Sequence, residues 1–481
     1  MKTKIQTTLG GLALLSALTL PLQPATVRAQ GSLTPPGPPA PTMKTLAQVE
    51  PRTPISSLPH TINRPGSYYL TTNLVGNATN GITVAASDVT LDLGGFVLDG
   101  NGAAFSGIAV PNAQTNLVIR NGIVKRWNGA AGVEALASFN VSVERLQASS
   151  NGGDGIRAGF GSRVSDCTAS GNGGRGFYLN ANSALIHSVA RLNGAEGIVT
   201  DNGCVVQGCT AAGNQSYGIR VAAGCTVSDS AAQANQTDGI NAAGAMTAIF
   251  HCTSSQNASN GISLGAQSEI GSCVMSHNGG RGLYVRDGFV GVKECAANAN
   301  KGPAGIEVGD GAVIIGCLAS WNGTTNTAAA GIVAGGSCTI KDCAANFNSG
   351  HGISAGNGCT IAGNTARANK LDGIRFGSSC GVTGNTCDYN GYGGDGAGLH
   401  ATGQAARIEA NHVIANDRGI DVDGDRNVII RNTCGFNTTD YDIVANNKVG
   451  VIVAVPNSGA IAGSTGGAGL GTTDPWANVS Y

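Results

Sequence analysis

A glycine followed by a branched or aromatic apolar residue returns along this chain at a nearly constant step. It stands at Gly155-Ile156, Gly176-Phe177, Gly197-Ile198, Gly218-Ile219 and Gly239-Ile240, about 21 residues apart. The series continues at Gly261, Gly282, Gly305, Gly331, Gly352, Gly373, Gly398 and Gly419, with looser copies at Gly81, Gly107 and Gly132. A fixed period of this size marks a solenoid and outranks any local propensity.

Strands fit each row better than helices. Apolar residues alternate over short runs such as Ile219-Arg220-Val221, and glycine interrupts too often for a useful helix. Three short strands and three turns fill one row. Stacking the rows at ~4.8 Å lays each strand beside its own copy, so the sheets are parallel. The expectation is an all-β parallel β-helix of about 16 coils, roughly 75 Å long.

Two kinds of column run through the rows. An Asn stands four residues before the marker Gly at Asn77, Asn128, Asn151, Asn172, Asn193, Asn214, Asn235, Asn257, Asn278, Asn348 and Asn369. An Asn tolerates a left-handed turn, and stacked amides form a ladder. Cysteines fall at two offsets after the marker, as at Cys209 and Cys225. Column neighbours are within disulfide reach, but their Cβ vectors point the same way, and Ser188 and Ser230 interrupt the series. Small buried thiols are therefore expected. The absence of any Cys-x-x-Cys pair argues against a zinc site.

The row pattern, the Asn column and the run Val89-Thr-Leu-Asp-Leu-Gly-Gly-Phe-Val-Leu-Asp-Gly100 resemble the secreted right-handed parallel β-helix repeat proteins of bacteria. These are related in fold to pectate lyases and to periplasmic NosD-like proteins. The resemblance covers roughly Pro54 to Tyr481. It implies a fold, not an activity, because this fold carries lyases, hydrolases, epimerases and adhesins.

Of 481 residues 75 are Gly, and the net charge is −1. That charge argues against nucleic acid as a partner. Residues 1–29 read as a secretory signal, with Lys2 and Lys4 before the apolar run Leu9 to Leu22 and a small-x-small site at Val27-Arg28-Ala29. The run is too short to span, so no membrane insertion is expected, and the protein is expected outside the cytoplasm, secreted or in the periplasm or cell envelope. Residues 30–54 form a Pro-rich linker, 55–449 the β-helix and 450–481 a C-terminal cap with Trp476 as its apolar plug.

Chemistry is sought on outward positions. The residue after each marker apolar alternates with a buried one, and that column includes Arg157, Tyr178, Arg220, Tyr284 and Arg375. Such a row would grip an anionic polysaccharide; the alternative is an ordinary wetted face. Trp127, beside Lys125 and Arg126, is either a sugar-stacking platform or a partly buried turn residue. The insertions Trp321–Ala330 and Asn390–Ala397 bulge from one turn of the coil.

The densest cluster is Asn416-Asp-Arg-Gly-Ile-Asp-Val-Asp-Gly-Asp-Arg426. Asp421 and Asp423 share one face, with Asp417, Asp425, Asp395 and His400 near. Paired carboxylates suit glycoside hydrolysis or calcium coordination. The resemblance implies acids that hold calcium against a uronate while an Arg or Lys takes a proton, a part open to Arg418, Arg375 or Lys370. Ser349-Gly-His-Gly-Ile353 is similar to the polygalacturonase Gly-His-Gly site, but the companion motifs are missing, and other rows place Arg175, Glu196 or Asp372 where His351 stands. The polysaccharide-binding, enzymatic and adhesive readings all stay open.

Overall fold

A computed structural model describes residues 49–76, 79–323, 329–456, 458–464 and 473–481. The chain divides into two compact units, Met1–Pro51 and Arg52–Tyr481. The expected signal segment, most of the linker, Asn77 and the middle of the Trp321–Ala330 insertion lie outside the described residues. Thr53 and Pro54, assigned to the linker from sequence, already pair with Tyr68 and Tyr69 in the first parallel ladder.

The second unit is a parallel β-helix. Its short strands come in threes, such as Phe177–Leu179, Ala184–Ile186 and Val189–Arg191. Each pairs in register with its own copy one coil on, at Ile198–Thr200, Val205–Gln207 and Thr210–Ala212. Following one ladder of paired positions from His60 through Ile82, Ile219 and Ile420 to Ile461 gives about 19 coils. The marker undercounts because His60, Tyr441 and Ile461 follow Pro59, Asp440 and Ala460 rather than glycine. Inside, Ile198, Ile219, Ile240 and Ile262 stack wholly buried. Removing a column of such side chains from water is the main drive for coil on coil.

The corners differ from the sequence expectation. The ladder asparagines are not the left-handed residues; the residue before each one is. Leu192, Ala234, Gln256, His277, Phe347 and Tyr389 have φ of 54°, 54°, 58°, 56°, 57° and 57°. The reversal turns the following Asn inward, where it is buried. Each Asn Oδ1 then accepts two hydrogen bonds from the preceding coil. Asn172 Oδ1 takes the Asn151 N–H at 3.1 Å and the Asn151 Nδ2 at 2.9 Å. Asn172 Nδ2 reaches on to Asn193 at 3.0 Å and back to the Ala148 carbonyl at 3.1 Å. Every polar group of the amide is used, as burial requires.

The ladder continues through Asn300, Asn322 and Asn390, where insertions lengthen the interval to the marker, and through Asn416 and Asn437, where it shortens to three residues. Asn128 stands outside it, half-exposed, donating to the Gly102 carbonyl. A second Asn stack runs through Asn364, Asn385, Asn411, Asn432 and Asn478.

All fourteen cysteines are buried free thiols. All but Cys387 and Cys434, which sit mid-strand, occupy the equivalent inward position at the other two corners. Corner thiols accept hydrogen bonds as well as fill space: Cys204 N–H points at Cys225 Sγ at 3.3 Å, and Cys167 N–H meets Ser188 Oγ at 3.2 Å. Serine interrupts the columns because its hydroxyl does the same work.

At the C-terminal end the plug is Tyr441, wholly buried, whose hydroxyl lies 3.0 Å from the Asn432 carbonyl and 2.9 Å from that of Val479. Trp476, expected to plug the coil, is 45% exposed and lies under the Arg431 guanidinium at 4.1 Å. No helix among the described residues is long and apolar enough to cross a membrane.

Candidate functional site

The outward column holds its register from Glu134 through Arg157, Tyr178, Val199 and Arg220 to Tyr284, Arg375, His400 and Asp421. A second outward column, one residue before each marker Gly, runs beside it. The two columns interlock. Arg175 lies over the Tyr178 ring at 4.7 Å and faces Asp154 and Glu196 at 3.8 and 3.6 Å. Arg157 pairs with Glu134 at 2.8 Å, and Arg220 faces Glu196 at 3.5 Å. Arg281 sits 4.5 Å over Tyr284 and pairs with Glu307.

These arginines are therefore committed to carboxylates, and the face is a balanced network rather than a cationic strip. Arg375, in the strand Ile374–Phe376, stands in the same column between Ser354 and His400.

Two adjoining hollows of about 340 Å³ each are cut into this face. Asn241 and Ala243 line both, so they form one groove from Arg175 to Asp287. Six rungs lie between Tyr178 and Tyr284 inclusive, a length of ~24 Å. The floor is polar: Asp238, 6% exposed, takes the Ser263 hydroxyl at 2.8 Å and the Asn241 amide at 3.0 Å.

Trp127 is corrected outright. It is wholly buried, with Nε1 donating to the Leu98 carbonyl at 3.1 Å. A Cβ at Gly76, Gly81, Gly100 or Gly107 would strike its indole, so the glycines make its berth. No face remains for a sugar. The neighbouring Lys125 and Arg126 pair with Asp99.

Further along, five of the expected site residues do meet. His400 Nδ1 lies 2.9 Å from Asp372 Oδ2, and His400 Nε2 lies 3.0 Å from Asp423 and 3.9 Å from Asp421. Arg418 contacts Asp421 at 2.6 Å and also pairs with Asp395. Asp372 and His351 belong to the same cluster, with His351 Nδ1 3.2 Å from Asp372 Oδ2 in poor hydrogen-bond alignment. Sequence reasoning missed them as a pair, although they occupy one column on adjacent rows.

Burial would raise the Asp372 carboxyl, but the His351 and His400 rings and the Ala397 N–H outweigh it and hold it well below the usual range. Burial would likewise lower His400, yet Asp372 and Asp423 push it up to about 9. Asp421 goes the other way: burial pushes it up to about 6 against the pull of His400 and Arg418. The result is a fixed imidazolium beside a carboxyl poised near neutrality, a pairing that suits general acid–base chemistry.

The calcium set does not assemble. Among the described residues the potential ligands that gather are His400, Asp421 and Asp423, with atoms within 4.8 Å of one another. Asp395, Asp417 and Asp425 are not in the group. Calcium takes six or more oxygens, and an imidazole shared with Asp372 in the middle of the group does not fit that demand.

The architecture is a parallel β-solenoid with a groove along one lateral face. The chain belongs to the right handed beta helix region family, whose model matches residues 80–237 and 238–387. No curated protein matches it in sequence. Solved structures with a similar fold include the A-module of Azotobacter vinelandii mannuronan C-5 epimerase AlgE4, 13% identical over 75% of this chain and 88% of that one, TM-score 0.23. The catalytic domain of a GH87 alpha-1,3-glucanase, in complex with tetrasaccharides, is 11% identical over 78% of this chain and 70% of that one, TM-score 0.35. The periplasmic alginate epimerase AlgG is 12% identical over 72% and 78%, TM-score 0.28.

Proposed function

We propose that this is an exported β-helix protein whose lateral groove binds polysaccharide. The observation that carries the reading is the continuous groove from Arg175 to Asp287, with Tyr178 and Tyr284 backed by stacked arginines. Cations held over these rings stiffen flat apolar surfaces, and the acids, amides and hydroxyls between them suit sugar hydroxyls. Because Arg157, Arg175, Arg220 and Arg281 already have acidic partners, the groove favours a hydroxyl-rich chain over a dense polyanion. Export rests on the signal-like segment 1–29.

A second reading is favoured by one observation, the convergence of His400, Asp372, Asp421, Asp423 and Arg418 on one part of the face. There the protein would be a polysaccharide lyase, epimerase or hydrolase. Asp421 would move the proton, His400 would stay charged against the substrate, and Arg418 would orient Asp421.

The test is retention of the intact protein on immobilised neutral and uronate glycans, with reducing ends and unsaturated products followed in parallel. Retention on neutral glycan that falls on Tyr178→Ala with Tyr284→Ala supports the groove. Product formation abolished by Asp421→Asn supports the enzymatic reading. No retention and no product would overturn both and leave an adhesive surface solenoid.

A further inference from the structure

Arg418 is bound differently from the other arginines of its column. Arg175 and Arg281, which also stand one residue before a marker Gly, take carboxylates from neighbouring coils of the same face: Asp154 and Glu196 for the first, Glu307 for the second. Arg418 takes one carboxylate from the sheet and one from a loop. Its Nη1 meets Asp421 at 2.6 Å, and its Nη2 pairs with Asp395. Asp421 belongs to the strand Arg418–Val422, and its side chain is 5% exposed. Asp395 belongs to the Asn390–Ala397 insertion, and its side chain is 82% exposed.

The insertion reads Asn-Gly-Tyr-Gly-Gly-Asp-Gly-Ala, and its backbone is pinned on both sides of Asp395. Before it, Gly391 N–H donates to the Leu371 carbonyl at 2.9 Å and Gly393 N–H to that of Lys370 at 3.1 Å. After it, the Gly396 carbonyl accepts the Arg418 N–H at 3.1 Å, and Ala397 N–H donates to Asp372 Oδ1 at 2.8 Å. Gly391 and Gly394, at φ of 80° and 99°, let the chain turn back in so short a span. The frame is therefore fixed while the acid it carries stands in water. A turn about the Cα–Cβ bond of Asp395 takes its carboxylate off Arg418 and breaks none of these backbone bonds.

We propose that Asp395 is a place-holder: it occupies on Arg418 the seat of a ligand carboxylate, and an acidic sugar of a glycan docks at the cluster by displacing it. The inference rests on the enzymatic reading for placing a glycan at this cluster. A guanidinium has two edges that meet carboxylates with directed hydrogen bonds. One edge is taken by Asp421, too deep for an incoming chain to displace. The other is taken by an acid that water already reaches, and an exposed ion pair is held weakly. Exchanging one carboxylate for another keeps the charge of the cluster unchanged, so no ion is left unpaired when the ligand is seated. A neutral sugar brings nothing that replaces Asp395. The seat therefore selects a uronate at this one position, whereas the arginines along the groove keep partners drawn from the sheet face itself.

The test is calorimetric titration of the intact protein with short oligomers of galacturonate, mannuronate and glucuronate, each beside its carboxyl-reduced, neutral counterpart. At least one uronate oligomer should bind. Asp395→Ala should tighten that binding by roughly two- to five-fold, the hold of an exposed ion pair, a gain that misfolding cannot imitate. Arg418→Gln should weaken it by roughly ten-fold or more, the loss of a charge-assisted contact, with circular dichroism confirming that the variant is folded. The neutral counterparts should not respond to Asp395→Ala. No uronate bound by the native protein or by the Asp395→Ala variant overturns the proposal. Unchanged or weaker binding in that variant overturns it too, the weaker case making Asp395 a binding residue in its own right. An equal gain for the neutral oligomers overturns it by making Asp395 a steric gate. The enzymatic reading is judged apart, by product formation. Uronate bound with the expected pattern but never converted keeps the seat and strikes that reading; product from a neutral glycan with no uronate bound does the reverse.

Discussion

The Nδ1 of His400 lies 2.9 Å from Oδ2 of Asp372, a carboxylate 5% exposed that is also approached by His351. The pair joins two coils and sets the electrostatics of the cluster. His400 has a raised pKa, so its contribution is fully present below the unfolded value near 6.5 and is lost as pH rises through about 9. At pH 7, His400→Asn should cost about 2–3 kcal/mol, discounted for its partial exposure. The deficit relative to the native protein should shrink above pH ~10. Thermal melts across pH check this, with ring-proton NMR of His400 reporting the titration directly.

Asp372 behaves oppositely. Its carboxyl is held low, so its contribution is present above the usual carboxylate range and fades as pH falls through its folded value. Asp372→Asn should therefore destabilise at neutral pH and matter little in strong acid. It should also lower the pKa of His400, which the same NMR titration reads.

Removing one rung of the Asn ladder orphans two donors at once. Asn257 Oδ1 accepts the Asn235 N–H at 3.0 Å and the Asn235 Nδ2 at 2.9 Å. Asn257→Ala should cost about 2–4 kcal/mol, the burden of two unsatisfied buried groups. Hydrogen exchange should accelerate most at the Asn235 amide, and protection there equal to the native protein's would contradict the ladder's role.

The cysteine columns yield a chemical prediction. Burial pushes Cys167 up to about 12 and Cys209 up to about 11, so neither ionises at neutral pH. All fourteen thiols should titrate in denatured, unreduced protein. Cys225→Ser should be nearly neutral because serine already serves at Ser162 and Ser183 in that column. Cys225→Val should cost about 1–3 kcal/mol by orphaning the Cys204 N–H.

Trp127→Ala should cost about 3–5 kcal/mol as a core cavity and leave glycan retention unchanged. A loss of retention without a loss of stability would return the residue to the binding surface.

The row period was legible because each coil must repeat the same three turns, and glycine before the marker apolar is one visible solution. Where another residue fills that place, as at Pro59, Asp440 and Ala460, the coil persists and the sign disappears. The asparagines were legible as a ladder, but their backbone was misassigned. Asparagine tolerates left-handed φ, whereas here it follows the left-handed residue and its amide is wanted inside. The cluster was half legible. Asp421, Asp423, Arg418 and His400 lie close in sequence or in neighbouring copies of one column. Asp372 and His351 needed the second column to be read against the first, and Asp417 and Asp425 fall at turns that spacing alone does not orient. Trp127 misled because cations beside a tryptophan suggest a wet surface, while the room made for it by Gly76, Gly81, Gly100 and Gly107 shows only once the coils are stacked.

At the inward Asn, Ser and Cys columns the corner N–H groups all point one way. Asn151 N–H is met by Asn172, Ser162 N–H by Ser183, Cys204 N–H by Cys225, and Asn432 N–H by Asn478. At those inward columns a coil's corner N–H is thus met by a side chain of the coil that follows it in the chain. A chain that emerges N-terminus first has the inward corners completed on its leading coils and open only on the most recent one. Folding can then keep pace with emergence, one coil behind, and the unfinished edge is only ever the one still nearest the point of exit. Asp440 and Asn478 end that dependence: Asp440 accepts the last Asn437 amide at 2.9 Å, and Asn478 turns its own amide to carbonyls of earlier coils.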